Sequence, residues 1–137
     1  MTSVLVLCTG NSCRSQMAEG YLRAFGGDDL KVYSAGVETH GVNPRAVEIM
    51  SRDGIDISMQ TSNLVDEYLD RQFDYVITVC DHAREVCPVF PSEAQQLHQD
   101  FPDPAKAAGD QEQVMQAFAL TRDMIKAYCQ NFIKKYL

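Results

Sequence analysis

Near the start of the chain, Cys8-Thr9-Gly10-Asn11-Ser12-Cys13-Arg14-Ser15 puts a nucleophile, a cation and small polar residues into one short stretch. A turn of this composition can aim successive backbone N–H groups at one point, and a following helix adds the positive end of its dipole. Such a nest suits a tetrahedral oxyanion held by Thr9, Gly10, Asn11, Ser12, Cys13, Arg14 and Ser15. Arg14, six positions after Cys8, can fork onto two of the anion's oxygens. The same field should lower the pKa of Cys8 below the ordinary ~8.5 of a thiol and make it a nucleophile at neutral pH. Ser15 can donate a hydrogen bond to the Cys8 sulfur. The plainer alternative is a buried cysteine at a strand end followed by a solvated turn. Cys-x5-Arg-Ser between a strand and a helix argues against it.

The elements that must position this stretch follow from hydrophobic pattern. Val4 to Leu7 is a continuous apolar run and reads as a buried parallel strand. A helix from about Ser15 to Phe25 carries Met17, Ala18, Tyr21, Ala24 and Phe25 at helical spacing and ends at Gly26-Gly27. Leu30 to Ser34 predicts a second strand. Asn43-Pro44 is an N-cap followed by proline at the first helical position, and Gly54 closes that helix. A short helix is expected near Ser62. Phe73 to Cys80 predicts a third strand, Gln95 to Gln99 a fourth. A long last helix from about Gln111 to Tyr136 aligns Val114, Phe118, Ile125, Phe132 and Tyr136 in one stripe. Alternating strands and helices predict an α/β fold, a single domain over residues 1–137 with a parallel sheet and helices on both faces. The anion loop then falls at the carboxyl edge of the sheet, where open α/β folds bind ligands.

Composition narrows the function. The 137 residues are 45% hydrophobic and 23% charged, and 12 Lys+Arg against 19 Asp+Glu give a net charge of -7. That balance excludes a broad nucleic-acid surface and attachment to an anionic membrane. No apolar run reaches the roughly 18 residues of a membrane span, and Val4 to Leu7 has no basic flank of a signal peptide. A cytoplasmic location is expected, where the five cysteines stay reduced and are more often catalytic, redox-active or metal-binding than structural.

Cys-x5-Arg-Ser continuing into Gln16-Met17-Ala18-Glu19 resembles the low-molecular-weight protein tyrosine phosphatase superfamily. Within it, Cys8 to Gly20 is similar to the thioredoxin-coupled arsenate reductases. The resemblance runs on through Ser34-Ala35-Gly36, Gly54-Ile55-Asp56-Ile57-Ser58 and Val79-Cys80-Asp81. It implies a four-stranded parallel sheet with the anion loop after the first strand, reduction of arsenate to arsenite in arsenic detoxification, and thioredoxin as partner. No tightly bound organic cofactor is implied, and the chain is expected to be a monomer.

Cys80 and Cys87 distinguish a reductase from a phosphatase, which needs one nucleophile and water. A reductase must pass two electrons to arsenic and needs a second thiol to release the product. Cys80 ends the third strand, at the same sheet edge as Cys8. Cys87 lies in the loop beyond, within reach of a protein reductant. The resemblance implies a relay of three, with Cys8–Cys80 and then Cys80–Cys87 disulfides. The segment from Asp81 to Glu85 has no proline or glycine and can form a short helix. A helix would hold the two Cα atoms roughly 10 Å apart, beyond the ~7 Å a disulfide spans, so closing the bond would unwind it. Incidental buried thiols and a zinc site using His82 and His98 are the alternatives, and the spacing matches paired zinc knuckles poorly. A non-catalytic redox or metal sensor is a further alternative of a different class. Cys13 reads as a structural or minor redox thiol, and Cys129 as core.

The resemblance assigns Asp103, in Asp103-Pro104, as the general acid that protonates the leaving oxygen. Phosphatases of the superfamily follow this pair with aromatic residues that shape a phosphotyrosine slot. Here Ala105-Lys106 stands instead, which disfavours that substrate. Some of the resembled reductases bind potassium through an asparagine, a glutamate, a serine and an aspartate. Asn11, Glu19 and Ser34 match these, but Asn63 replaces the aspartate and should weaken the site.

Overall fold

A computed structural model describes residues 2–81, 83 and 94–137. Four parallel strands form one sheet in the order β2-β1-β3-β4: β1 Thr2–Cys8, β2 Leu30–Gly36, β3 Tyr75–Thr78 and β4 Gln95–His98. Among the described residues, the longer helices are α1 Arg14–Gly26, α2 Pro44–Ser51 and α3 Gln111–Tyr136. The α/β class and the four strands agree with the pattern in the sequence. β1 is central because its residues are apolar on both faces. Val4, Leu5, Val6 and Leu7 are all buried.

Both faces of the sheet are covered. Ser34 of β2 reaches Glu19 of α1, so its side of the sheet faces that helix. Tyr33, one residue earlier, points to the opposite face and meets the rings of Tyr68 and Phe73. Tyr68 ends a 3-10 turn, Val65–Tyr68. The stripe expected on α3 is realised by Val114, Phe118, Ile125 and Phe132, all buried, and Phe132 packs edge-on against Tyr75 of β3.

Two boundaries differ from the sequence pattern. β3 stops at Thr78, so Cys80 lies past the ladder and its side chain is free to turn toward β1. The short helix expected near Ser62 begins three residues later, as the 3-10 turn Val65–Tyr68. The groups of Thr61, Ser62 and Asn63 are spent instead on the anion loop and on Gly36.

Candidate active site

The loop after β1 is shaped by where its carbonyls go. The Thr9, Gly10 and Ser12 carbonyls accept from the backbone N–H groups of Glu38, His40 and Asn43 at 2.9, 3.0 and 3.1 Å. The Asn11 carbonyl accepts from Gln16 Nε2 at 2.9 Å, and the Cys13 carbonyl from the Met17 N–H at 2.9 Å. With these carbonyls held by outside donors, the loop's N–H groups are left to line a bowl. Asn11 takes a positive φ of 48°, a conformation asparagine tolerates better than most residues. Its Oδ1 accepts from the Asn63 N–H at 2.8 Å, which holds it there. Gly36 lets the backbones meet, because a Cβ there would lie 2.7 Å from the Thr9 carbonyl oxygen and 2.8 Å from the Asn11 nitrogen.

The bowl opens into a cleft of about 420 Å³ lined by Cys8, Thr9, Gly10, Ser12, Cys13, Arg14, His40, Asn43, Asp103, Ala105 and Lys106. Arg14 is the first residue of α1. Its Nη1 donates to the Phe101 carbonyl at 3.1 Å, and its Nη2 lies 3.6 Å from Asp103 Oδ2. Its Nε is buried without a partner. An orphaned donor is costly to bury, and an anion oxygen in the bowl would satisfy it. Asp103 is fixed from its other side, Oδ1 accepting from the Ala105 N–H at 3.0 Å. Ser15 Oγ accepts from Asn11 Nδ2 at 2.8 Å.

Cys8 and Cys80 meet at this edge. Cys80 Sγ is 3.3 Å from Thr9 Oγ1, and the Cys8 and Cys80 thiols interact at this edge. That interaction, and then burial, push the Cys8 pKa up, while Arg14 opposes the rise. The same interaction holds Cys80 down to about 5, helped by Thr9 and the Ala83 N–H. The two shifts are one shared proton seen from each sulfur, so Cys8 titrates as half of a pair and not alone. Cys87, His82 and most of the segment between Cys80 and β4 lie outside the described residues. Cys13 is buried, and burial raises its pKa to about 11, consistent with an inert thiol. Cys129 is core, its Sγ 3.8 Å from the Ala18 carbonyl.

The residues matched to a potassium site do come together, but their oxygens are already engaged. Asn11 turns its amide nitrogen toward Ser34 Oγ at 2.9 Å, and Ser34 donates to Glu19 Oε1 at 2.5 Å. Glu19 Oε2 is paired with Arg23 Nε at 2.8 Å, and Asn63 Oδ1 accepts from Thr61. A hard cation needs free oxygen donors and net negative charge. This set offers an N–H pair and a neutralised carboxylate, so it does not fit potassium.

Sequence reading missed the supports. Gln16, fully buried, also donates to the Thr61 carbonyl at 3.0 Å, and Gln60 Nε2 donates to Gln16 Oε1 at 2.8 Å. Gln16 has Glu19, Gly20 and Arg23 as its neighbours at helical spacing, so its type and position gave no signal of this clamp. His40, Asn43 and Lys106 at the cleft mouth carried none.

A profile described as low molecular weight phosphotyrosine protein phosphatase matches residues 3–136. The chain belongs to that family. Within it, the chain is 50% identical over 129 residues to an arsenate reductase of Halalkalibacterium halodurans, covering 94% of this chain and 93% of that protein. It is 48% identical over 122 residues to an arsenate reductase of Bacillus subtilis, covering 89% and 88%. Among solved structures, an arsenate reductase in its oxidized state superposes with a TM-score of 0.82 at 31% identity over 98% of both chains. A low molecular weight protein tyrosine phosphatase from T. tengcongensis gives the same TM-score at 27% identity, covering 98% and 99%. The phosphatase family fold is thus shared by relatives of two chemistries, and the site must decide between them.

Proposed function

We propose that the chain reduces arsenate to arsenite through three thiols and is regenerated by thioredoxin. The observation that carries this is the Cys8–Cys80 pair, since a phosphatase has no use for a second thiol interacting with its nucleophile. Arsenate sits in the bowl on the N–H groups of residues 9–15, with Arg14 on its oxygens. The shared proton passes to Cys80, and the Cys8 thiolate attacks arsenic. Asp103 protonates the departing hydroxide, which leaves as water. Cys80 gives its proton to an oxygen of the bound arsenic group and attacks the Cys8 sulfur. The electron pair of the sulfur–arsenic bond goes to arsenic, which leaves as arsenite. Cys87 then attacks Cys80, freeing Cys8, and the Cys80–Cys87 disulfide passes to thioredoxin. Two thiols are oxidised and one arsenate is reduced. On this reading the protein works as a cytoplasmic monomer without a tightly bound cofactor.

The decisive assay is arsenate-dependent oxidation of NADPH with thioredoxin and thioredoxin reductase. Wild type should turn over repeatedly. Cys80→Ser and Cys87→Ser should not, while both keep weak hydrolysis of a small aryl phosphate through Cys8, Arg14 and Asp103. Sustained turnover by either variant with thioredoxin as sole reductant would remove that thiol from the relay.

A further inference from the structure

An imidazole that the anion chemistry does not use ties together the ends of β3 and β4. His98 closes β4 in register with Thr78, the last residue of β3. Its Nδ1 lies 2.7 Å from Thr78 Oγ1 and its Nε2 2.9 Å from Asp81 Oδ1. Asp81 follows Cys80 directly, so one ring on the neighbouring strand grips the chain on both sides of Val79-Cys80. The three partners differ in setting: Thr78 is buried, and the side chains of His98 and Asp81 are 22% and 69% exposed.

The grip survives a change in the ring's charge. A neutral ring donates from Nε2 to the carboxylate and accepts at Nδ1 from the Thr78 hydroxyl. A protonated ring donates from both nitrogens, and the Thr78 hydroxyl turns to the Leu97 carbonyl at 3.4 Å. In either state Asp81 stays anchored to β4. Anchoring Asp81 fixes the peptide from which Cys80 Sγ reaches Thr9 Oγ1 at 3.3 Å.

We propose that His98 is a positioning residue for the first thiol exchange: acting through Asp81, it holds Cys80 where its sulfur can attack Cys8. The inference rests on the relay proposed above. Attack on sulfur is directional, and small displacements of a reacting group cost orders of magnitude in rate.

The test is a single turnover with excess arsenate and no thioredoxin, in a Cys87→Ser background that stops at the Cys8–Cys80 bond. Rapid quenching and mass spectrometry follow that bond. His98→Leu should slow its formation about tenfold, with the arsenate concentration for half-saturation unchanged. His98→Gln, which keeps an N–H donor near Nε2, should recover most of the rate. Asp81→Ala, at an exposed position, should slow the step like His98→Leu, and the double variant should be no slower than either single one. Full-rate bond formation in Asp81→Ala would overturn the proposal, as would effects that add in the double variant. Absence of any Cys8–Cys80 bond in the parent would overturn the relay itself, and the positioning role with it.

Discussion

Cys8 and Cys80 titrate as a pair, so replacing Cys80 should change the titration of Cys8. In Cys80→Ser, Cys8 loses the largest influence raising its pKa and keeps Arg14 and the Thr9 N–H, which lower it against burial. Its pKa should therefore fall below the wild-type value. Sulfate in the bowl should raise it again by like-charge repulsion. Ultraviolet thiolate absorbance against pH, with and without sulfate, reads both shifts. In wild type the first proton of the pair should leave near pH 5, the value at which Cys80 is held. A Cys8 pKa that stays put in Cys80→Ser would mean burial, and not the interaction between the sulfurs, dominates. At this scale the sequence was informative where a residue's chemistry is intrinsic: thiols at two strand ends, an arginine at the loop's close. That the two thiols titrate as a pair was not legible, because it depends on an interaction between residues 72 positions apart.

The segment from Gln60 to Asn63 shows how the start of a helix can be displaced for a physical reason. Its polar residues suit a helix start, but the loop uses their side chains and backbone groups directly. Gln60 braces Gln16, which holds the Asn11 carbonyl. Gln60→Leu should loosen the bowl and weaken competitive inhibition by inorganic phosphate by several-fold, about the worth of one buried hydrogen bond. An unchanged inhibition constant would show that Gln16 needs no brace. The strands and α3 were legible because burial on a sheet or along a helix imposes a period. Clamps between loops impose none. Helices α1, α2 and α3 also share a tie invisible to periodicity. Asp53, just past α2, accepts from Tyr21 of α1 at 2.7 Å and pairs with Lys126 of α3 at 2.9 Å. The Tyr21 hydrogen bond first, and then Lys126, hold the Asp53 pKa below its usual value. A depressed carboxylate contributes stability above its unfolded pKa of about 3.9, and that contribution is lost as pH falls through the folded value. Asp53→Asn should therefore cost about 1 kcal/mol at pH 7. Thermal melts should show the gap to wild type closing in strong acid. A gap that is constant with pH would mean the charge contributes nothing.

Over the whole molecule the charge is -7, yet the cleft must admit an anion. Arg14 is partly offset by Asp103 3.6 Å away, which leaves Lys106 as a further cation lining the mouth. Lys106→Ala should lower kcat/KM for arsenate roughly threefold to tenfold at low salt and leave kcat unchanged. The difference should vanish at about 0.5 M salt, where the screening length shrinks to a few ångströms. A salt-independent loss would point to a direct contact instead of steering. The carbonyls strapped outward by Glu38, His40 and Asn43 also determine what the cleft can tell apart. A bowl assembled in advance from amide N–H groups grips oxygen atoms, whatever element they surround. Phosphate and arsenate present the same tetrahedron and similar charge, so admission cannot separate them. Under the proposed reaction the sorting happens afterwards, at sulfur. Phosphorus is not reduced by a thiol, and phosphate departs as it came. Arsenic keeps the electron pair of its bond to sulfur and becomes a neutral, pyramidal species that the bowl no longer holds, so fidelity lies in how each guest leaves.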